Sequence, residues 1–297
     1  MLNMSIPEIS FEFFPPRDEA QTRRFWCTFG CLQTLNPSYI SMTWGALGSA
    51  SKASLDILEP LLKDSRVPVT AHLTCAGETR ESLLDKIATL HGLGITRFLA
   101  LRGDLPESSK NQSPSAANGL RHAAELVSLL NQAGAQDISV AAYPEAHPES
   151  PDWQNDIKQL KAKLDCGAQR AITQFFFEAE SFLRFRDRAE AAGIHQALVP
   201  GILPIHDFAK VRGFSEKCGA SMSPDLAKQF SGAQTKADKH ELAVEHSLKL
   251  CQTLMAEGVD AFHIYTLNQS ALAYDISAQL LSAGEQPERG PDVGAAA

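Results

Sequence analysis

Nowhere in this chain do apolar residues run together for the roughly 20 positions that a bilayer-spanning helix needs, so a membrane protein is not expected. The first residues, MLNMSIPEISFEFFPP, lack the basic segment and long apolar run of an export signal. Positive charge is scarce: 27 Lys and Arg stand against 35 Asp and Glu, for a net charge of −8. That balance argues against a surface built to track nucleic-acid phosphates. The six cysteines (Cys27, Cys31, Cys75, Cys166, Cys218 and Cys251) are scattered and form no Cys-x-x-Cys pair. They read as reduced thiols of a cytoplasmic protein rather than a disulfide framework, and the spaced pair Cys27 and Cys31 reads as packing residues. Two motifs are absent as well. Without Gly-x-Gly-x-x-Gly there is no dinucleotide fingerprint, and without Gly-x-Ser-x-Gly no nucleophile elbow.

What the chain does have is alternation. Short runs rich in β-branched and aromatic residues recur at Ile9–Phe14, Tyr39–Trp44, Val67–Thr74, Arg97–Asp104, Ile138–Glu145, Arg170–Phe177, Leu198–Ile205 and Ala261–Leu267, which makes eight candidate strands. Segments of helical period lie between them, and Gly94, Gly134, Gly193 and Gly258 stand where helix caps would precede the next strand. Eight such units over about 280 residues point to an α/β protein of the (β/α)8 TIM-barrel class, one domain over residues 1–283. The interval before the last strand is long, and 207–216, 224–230 and 239–257 are expected to supply extra helices there. The Pro-, Ser- and Asn-rich segment 105–118 reads as a long loop, and 284–297 as a disordered tail.

Barrels of this class carry their sites where the strands end. There the chain places Glu12, Thr43, His72, Arg102-Gly103-Asp104, Tyr143 to His147, Gln174, and His263-Ile264-Tyr265. Such convergence favours a ligand site at one mouth. Glu12 sits among Phe11, Phe13 and Phe14, where loss of hydration would favour the neutral carboxyl that a general acid needs. An ion pair with a neighbouring cation is the alternative reading, for Glu12 and for Asp104 beside Arg102. His72, His147 and Glu145 offer the donors of a metal site, though at no regular ligand spacing, so no metal is assigned. Phe175, Phe176 and Phe177 read as core, and Gln174 as an amide able to donate and accept at a ligand. These residues alone describe a barrel enzyme with a polar mouth and one well-placed acid; they name no reaction.

The strings Phe11-Glu-Phe-Phe-Pro-Pro-Arg17, Ala71-His-Leu-Thr-Cys75, Leu99-Ala-Leu-Arg-Gly-Asp-Leu-Pro106, Ser139-Val-Ala-Ala-Tyr-Pro-Glu-Ala-His-Pro148, Arg170-Ala-Ile-Thr-Gln-Phe-Phe-Phe177, Pro200-Gly-Ile-Leu-Pro204 and Phe262-His-Ile-Tyr-Thr-Leu-Asn268 together resemble methylenetetrahydrofolate reductase of the bacterial, single-domain type. They run in the family's order over nearly the whole chain. The resemblance implies a flavin-containing barrel in which NADH or NADPH gives a hydride to FAD, and FAD then reduces methylenetetrahydrofolate to 5-methyltetrahydrofolate in a ping-pong cycle. It implies Glu12 as the acid that protonates folate N10, and Asp104 as the charge that stabilises the resulting iminium ion. For FAD it implies Thr43, His72, Leu101, Arg102, Gly103, Asp104, Tyr143, His147, Asp156 and Lys163, with Arg102 and Lys163 toward the phosphates. For the substrates it implies Glu12, Gln174, Phe214 and Tyr265. It also implies a homo-oligomer. Gln269 stands where relatives carry Arg, and Trp44 where they carry Tyr, departures that bear on substrate affinity. Two rivals stay open: a folate- or flavin-binding paralogue with impaired turnover, and a metal-dependent barrel lyase or hydrolase.

Overall fold

The structure, a computed structural model, describes residues 6–43, 52–103 and 119–283. Nine parallel strand segments form one sheet: β1 (Glu8–Phe13), β2 (Tyr39–Met42), β3 (Val69–Thr74), β4 (Arg97–Leu101), β5 (Asp137–Ala142), β6 (Arg170–Thr173), β7 (Ala197–Val199), β8 (Gly201–Ile202) and β9 (Ala261–Tyr265). Their order is β7-β6-β5-β4-β3-β2-β1-β9-β8. Only Pro200 separates β7 from β8. β7 pairs with β6 and β8 with β9, so the two are halves of one stave and the sheet closes into a barrel of eight. The run Leu198–Ile205, expected as one strand, is cut because proline has no N–H to give the ladder. Its carbonyl still accepts from the backbone N–H of His263 at 2.9 Å.

Helices α1 (Glu19–Leu32), α2 (Lys52–Asp64), α3 (Arg80–Gly92), α4 (Ala123–Gln132), α5 (Trp153–Asp165) and α6 (Ala179–Ala191) connect successive strands. The expected elaboration before the last strand is α7 (Phe208–Cys218), α8 (Pro224–Gly232) and α9 (Lys236–Ala256), and α10 (Ser270–Ala283) follows β9. Starts are set by side-chain caps: Asp18, Thr79, Asp152, Asp207, Ser223 and Thr235 each accept from a backbone N–H of the first turn. The Gly94, Gly134, Gly193 and Gly258 positions all have positive φ, as the caps require. No described helix is long and apolar enough to cross a membrane, and all six cysteines are free.

The strand alternation divides each stave between two surroundings. On β1, Ile9, Phe11 and Phe13 turn outward and are buried under the helices; the Phe13 ring meets Phe25 at 5.6 Å and Phe29 at 6.4 Å, both edge-on. Full burial of each such side chain stabilises the fold by about 1.5–3 kcal/mol. Ser10 and Glu12, the intervening residues, turn inward. Inside the barrel, Leu99, Ile172 and Val199 pack with Tyr39 into a small apolar cluster, whereas Ser10, Ser41, Thr70, His72 and His263 are buried polar groups. At the foot, Asp137 bridges Arg97 and Arg170 at 2.6 Å each.

Candidate active site

β1 brings Glu12 to the mouth, and the end of β9 holds it there. Thr266 donates its hydroxyl to the Glu12 carbonyl at 2.7 Å. Asn268, in the left-handed region at φ 53°, accepts from the Phe14 N–H at 3.2 Å and donates to the Phe14 carbonyl at 2.8 Å. The Tyr-Thr-Leu-Asn run is therefore a clamp on the backbone around the acid.

The Glu12 side chain faces two imidazoles, His72 Nε2 at 3.5 Å and His263 Nε2 at 3.6 Å from its Oε2. Both rings are buried. Burial pushes the Glu12 carboxyl up, but the charge of His72, with the hydrogen bond and charge of His263, outweighs it and leaves the group below its ordinary value. Desolvation alone, the effect the sequence suggested, is overruled by partners that lie far away in the chain. His72 is itself held low, by burial first, although Glu12 pulls the other way. Its Nε2 has no hydrogen-bond partner among the described residues.

Tyr265, at the end of β9, pairs in register with Glu12. It donates its hydroxyl across the barrel to the Thr173 carbonyl at 2.7 Å. Burial, and then the nearby Glu12 charge, raise this phenol well above its ordinary value, so it acts as a neutral donor. Gln174 follows β6 directly; its backbone N–H extends the ladder to Ala142 at 2.8 Å, and its side-chain oxygen accepts from Phe175 N–H at 3.0 Å. That contact replaces the ladder, so the strand expected to reach Phe177 stops at Thr173. The three phenylalanines are buried, as expected. Phe214 on α7 is 45% exposed and stacks on Phe175, centroids 5.3 Å apart at 28°.

A second group lies around the ends of β3, β4 and β5. Gly103 has φ 80°, and a Cβ there would lie 2.9 Å from Cβ of Thr74, so the backbone follows a path that only glycine fits. Thr43 gives its N–H to the Phe13 carbonyl at 2.9 Å, and Leu101 packs at the top of the apolar interior. Tyr143 and His147 meet edge-on at 4.6 Å. The His147 N–H donates to Asp156 at 2.9 Å, and its Nδ1 accepts from the Glu149 N–H at 3.0 Å; in the neutral ring the proton is thus on Nε2. Lys163 on α5 gives its ammonium to the Ala141 carbonyl at 2.5 Å. Burial, opposed by Asp156, brings its amine down to about 8. Arg102 is exposed and paired with Glu149 at 2.5 Å.

Asp104, Trp44, the segment 105–118 and the tail 284–297 lie outside the described residues. Glu145 is turned to Ser221, accepting from its N–H at 3.1 Å. Among the described residues no group of three His, Cys, Asp or Glu side chains forms a metal-binding set. Gln269 lines a cavity of about 140 Å³ beside Tyr265, with His206 and His240. The residues that sequence reasoning passed over are Ser10, Ser41 and Gly201, and it named His263 only as a strand-end residue without a role. Their signal was the placing of polar or tiny residues at inward positions of otherwise apolar strands.

Comparison with known proteins bears on this site. The family described as Methylenetetrahydrofolate reductase matches residues 2–281. A 5,10-methylenetetrahydrofolate reductase of Salmonella typhimurium is 37% identical over 282 residues, covering 93% of each chain. One from Escherichia coli gives the same figures. A NADH-type methylenetetrahydrofolate reductase of Arabidopsis thaliana is 30% identical, the match spanning 90% of this chain and 47% of that one. Among solved structures, an uncharacterized protein from Clostridium thermocellum that binds two copies of 5-methyl-5,6,7,8-tetrahydrofolic acid shares the fold, with TM-score 0.67, 13% identity, and coverage of 95% of this chain and 96% of the other.

Proposed function

The chain belongs to the methylenetetrahydrofolate reductase family, and from that premise we propose that it reduces 5,10-methylenetetrahydrofolate to 5-methyltetrahydrofolate with FAD as cofactor and NADH or NADPH as reductant. The observation that carries this reading is Glu12 at the barrel mouth, half-sheltered and faced by two imidazoles. That setting lets a carboxyl exchange a proton within the site.

The described residues fit a flavin. The Lys163 ammonium is desolvated and, among the described residues, hydrogen-bonds one backbone carbonyl, so it retains donors for phosphate oxygens. Gly103, at positive φ and packed against the Thr74 side chain, fixes the course of the backbone between Arg102 and Asp104. Thr43, His72, Leu101, Arg102, Tyr143, His147 and Asp156 complete the proposed cradle together with Asp104. Arg102 would exchange Glu149 for phosphate. When bound, FAD supplies hydride transfer from the nicotinamide to the folate, the two substrates taking turns at one place.

The chain's own work is binding and proton handling. Glu12 gives a proton to N10 of the folate, opening the five-membered ring to an iminium ion. Asp104 contributes negative charge that stabilises that cation. Gln174 presents its amide to the pterin, and Phe214 offers a ring face backed by Phe175. Tyr265, anchored on Thr173, closes one side of the mouth.

The test separates the two half-reactions. Glu12→Gln should retain flavin reduction by NADH and lose about 10²–10⁴ in folate reduction, the usual contribution of a general acid. Equal loss in both would refute the assignment, and a chain that takes up no FAD would refute the cofactor.

A further inference from the structure

Helix α7 carries Phe214, the ring face offered to the substrates, yet among the described residues it has no broad contact with any strand or other helix. Only Val211 and Ser215 along it are buried. Its pose therefore depends on what grips it at a few points. At its start Phe208 stacks on Phe230 of α8, centroids 5.2 Å apart at 21°. In its middle Phe214 lies on Phe175. Its far end is held from the β5 side, where the Glu145 carboxylate accepts the Ser221 N–H at 3.1 Å on each oxygen and the Ser221 hydroxyl as well. Gly219, the left-handed cap of α7 at φ 73°, seats the chain there so closely that a Cβ would lie 2.7 Å from the Ala146 carbonyl oxygen and 3.4 Å from Cγ of Pro148.

The segment that Glu145 belongs to is braced on its own account. His147 gives its N–H to Asp156 at 2.9 Å, and its carbonyl accepts from the Ser150 N–H at 2.8 Å. Tyr143 and His147, on either side of Glu145, are residues assigned to the cofactor. Resting on the reading of Phe214 as a ring on which the substrates stack, we propose that Glu145 is a positioning residue for both of them: through Ser221 it fastens the end of α7 to the cofactor segment and so fixes how far the Phe214 ring stands from the flavin's place. Both Glu145 oxygens are committed to Ser221, so the carboxylate that the sequence offered as a metal donor is occupied in holding backbone.

Distance makes the fastening matter. Phe214 stands about one helical turn before Cys218, the last residue of α7, so a shift of that end reaches the ring almost undiminished. A gap of roughly an ångström at a stacked ring forfeits about a quarter to a half of each atomic contact. The effect should also be selective. Releasing Ser221 frees α7 while Asp156 still holds His147, so the cofactor stays and the affinity for substrates falls. Because the two substrates take turns at one place, both should weaken together.

Calorimetric binding of 5-methyltetrahydrofolate to the flavin-loaded, 297-residue chain tests this. Glu145→Ala should weaken binding about fivefold, and Glu145→Gln, whose amide oxygen still accepts from Ser221, should recover most of that loss. In a Phe214→Ala background Glu145→Ala should add less than about 1.5-fold, because it acts through that ring. In rapid mixing, Glu145→Ala should raise the half-saturating concentrations of NADH and of methylenetetrahydrofolate by one common factor, with each limiting rate within about twofold of wild type. Losses from Glu145→Ala and Phe214→Ala that multiply in full overturn the proposal. So do limiting rates that fall while half-saturation stays put, or a folded Glu145→Ala chain that sheds its flavin. Should Glu145→Ala not fold, Ser221→Ala, which removes the hydroxyl bond alone, carries the same cycle with Phe214→Ala and is read the same way. If the wild-type chain reduces no folate, the reductase reading falls and the positioning role with it; if it reduces folate while Glu145 and Phe214 act independently, the positioning role alone falls.

Discussion

Gly201 stands at the seam where the barrel closes, and replacing it with alanine tests whether closure and site are one structure. The added methyl would lie 2.1 Å from the Thr173 carbonyl oxygen, 2.6 Å from Cε2 of Tyr265 and 2.9 Å from its hydroxyl. Normal contact needs about 3.5 Å, so the seam must open by about an ångström. The first obstacle is backbone within a sheet, which cannot rotate aside as a side chain would. Two hydrogen bonds are strained by that opening, Gly201 N–H to Thr173 Oγ1 at 2.9 Å and Tyr265 hydroxyl to the Thr173 carbonyl at 2.7 Å. Overpacking costs about 1–3 kcal/mol, and two lost bonds about 1–3 kcal/mol more, so Gly201→Ala should destabilise by roughly 4 kcal/mol. Urea denaturation of the unliganded chain measures this as a lower midpoint at unchanged slope. Combining it with Tyr265→Phe should give less than the sum of the two losses, because both act on the Tyr265–Thr173 contact. A Gly201→Ala protein within about 1 kcal/mol of wild type, or strict additivity with Tyr265→Phe, would refute the packing argument.

Lys163 predicts a pH dependence with a definite sign. Its amine is lowered to about 8 in the folded chain from 10.5, so between those values the unfolded state binds more protons and stability rises with pH, by up to about 3 kcal/mol across the window. Lys163→Met should flatten that rise in unliganded protein and weaken FAD uptake; a rise that persists in the variant counts against the desolvated amine. At the barrel foot, Asp137→Asn leaves Arg97 and Arg170 without their shared carboxylate. This should cost about 3 kcal/mol in urea denaturation and leave the ratio of the two half-reactions unchanged, since the bridge lies at the end of the strands away from Glu12.

Much of the fold was legible because each stave advertises itself by composition and several helices by a capping residue. The closure was less so. Pro200 cuts one apolar run into β7 and β8, and sequence alone does not tell a split stave from a continuous strand. The end of β6 was overestimated because the Gln174 side chain takes over from the ladder at Phe175. For the candidate site, Glu12, His72, Tyr265 and Gln174 do converge on one mouth, since strand ends in a barrel must. The electrostatics were not legible. Phe11 and Phe13 beside Glu12 suggested an apolar pocket, yet those rings face the helices, and the inward neighbours of Glu12 come from β3 and β9, 60 and 251 positions away. Alternation within one strand shows which residues turn inward; only the barrel's register shows whom they meet.

That register also explains why the acid stands on β1. The interior is divided, with Leu99, Ile172 and Val199 on β4, β6 and β7 making one side apolar and Ser10, Ser41, His72 and His263 on β1, β2, β3 and β9 making the other polar. A carboxyl set among the apolar staves would have no partner for its charge and would remain protonated over the whole working range, able to give a proton once but slow to exchange it. Set wholly in water it would be ionised. Between the two imidazoles its charge has partners, and they hold the carboxyl below its ordinary value against the effect of burial. The polar staves are adjacent in the sheet, β9-β1-β2-β3, so Glu12, His72 and His263 share one side of the barrel, and substitution of an inward residue there, unlike one among the apolar staves, should alter the proton affinity of Glu12 as well as packing.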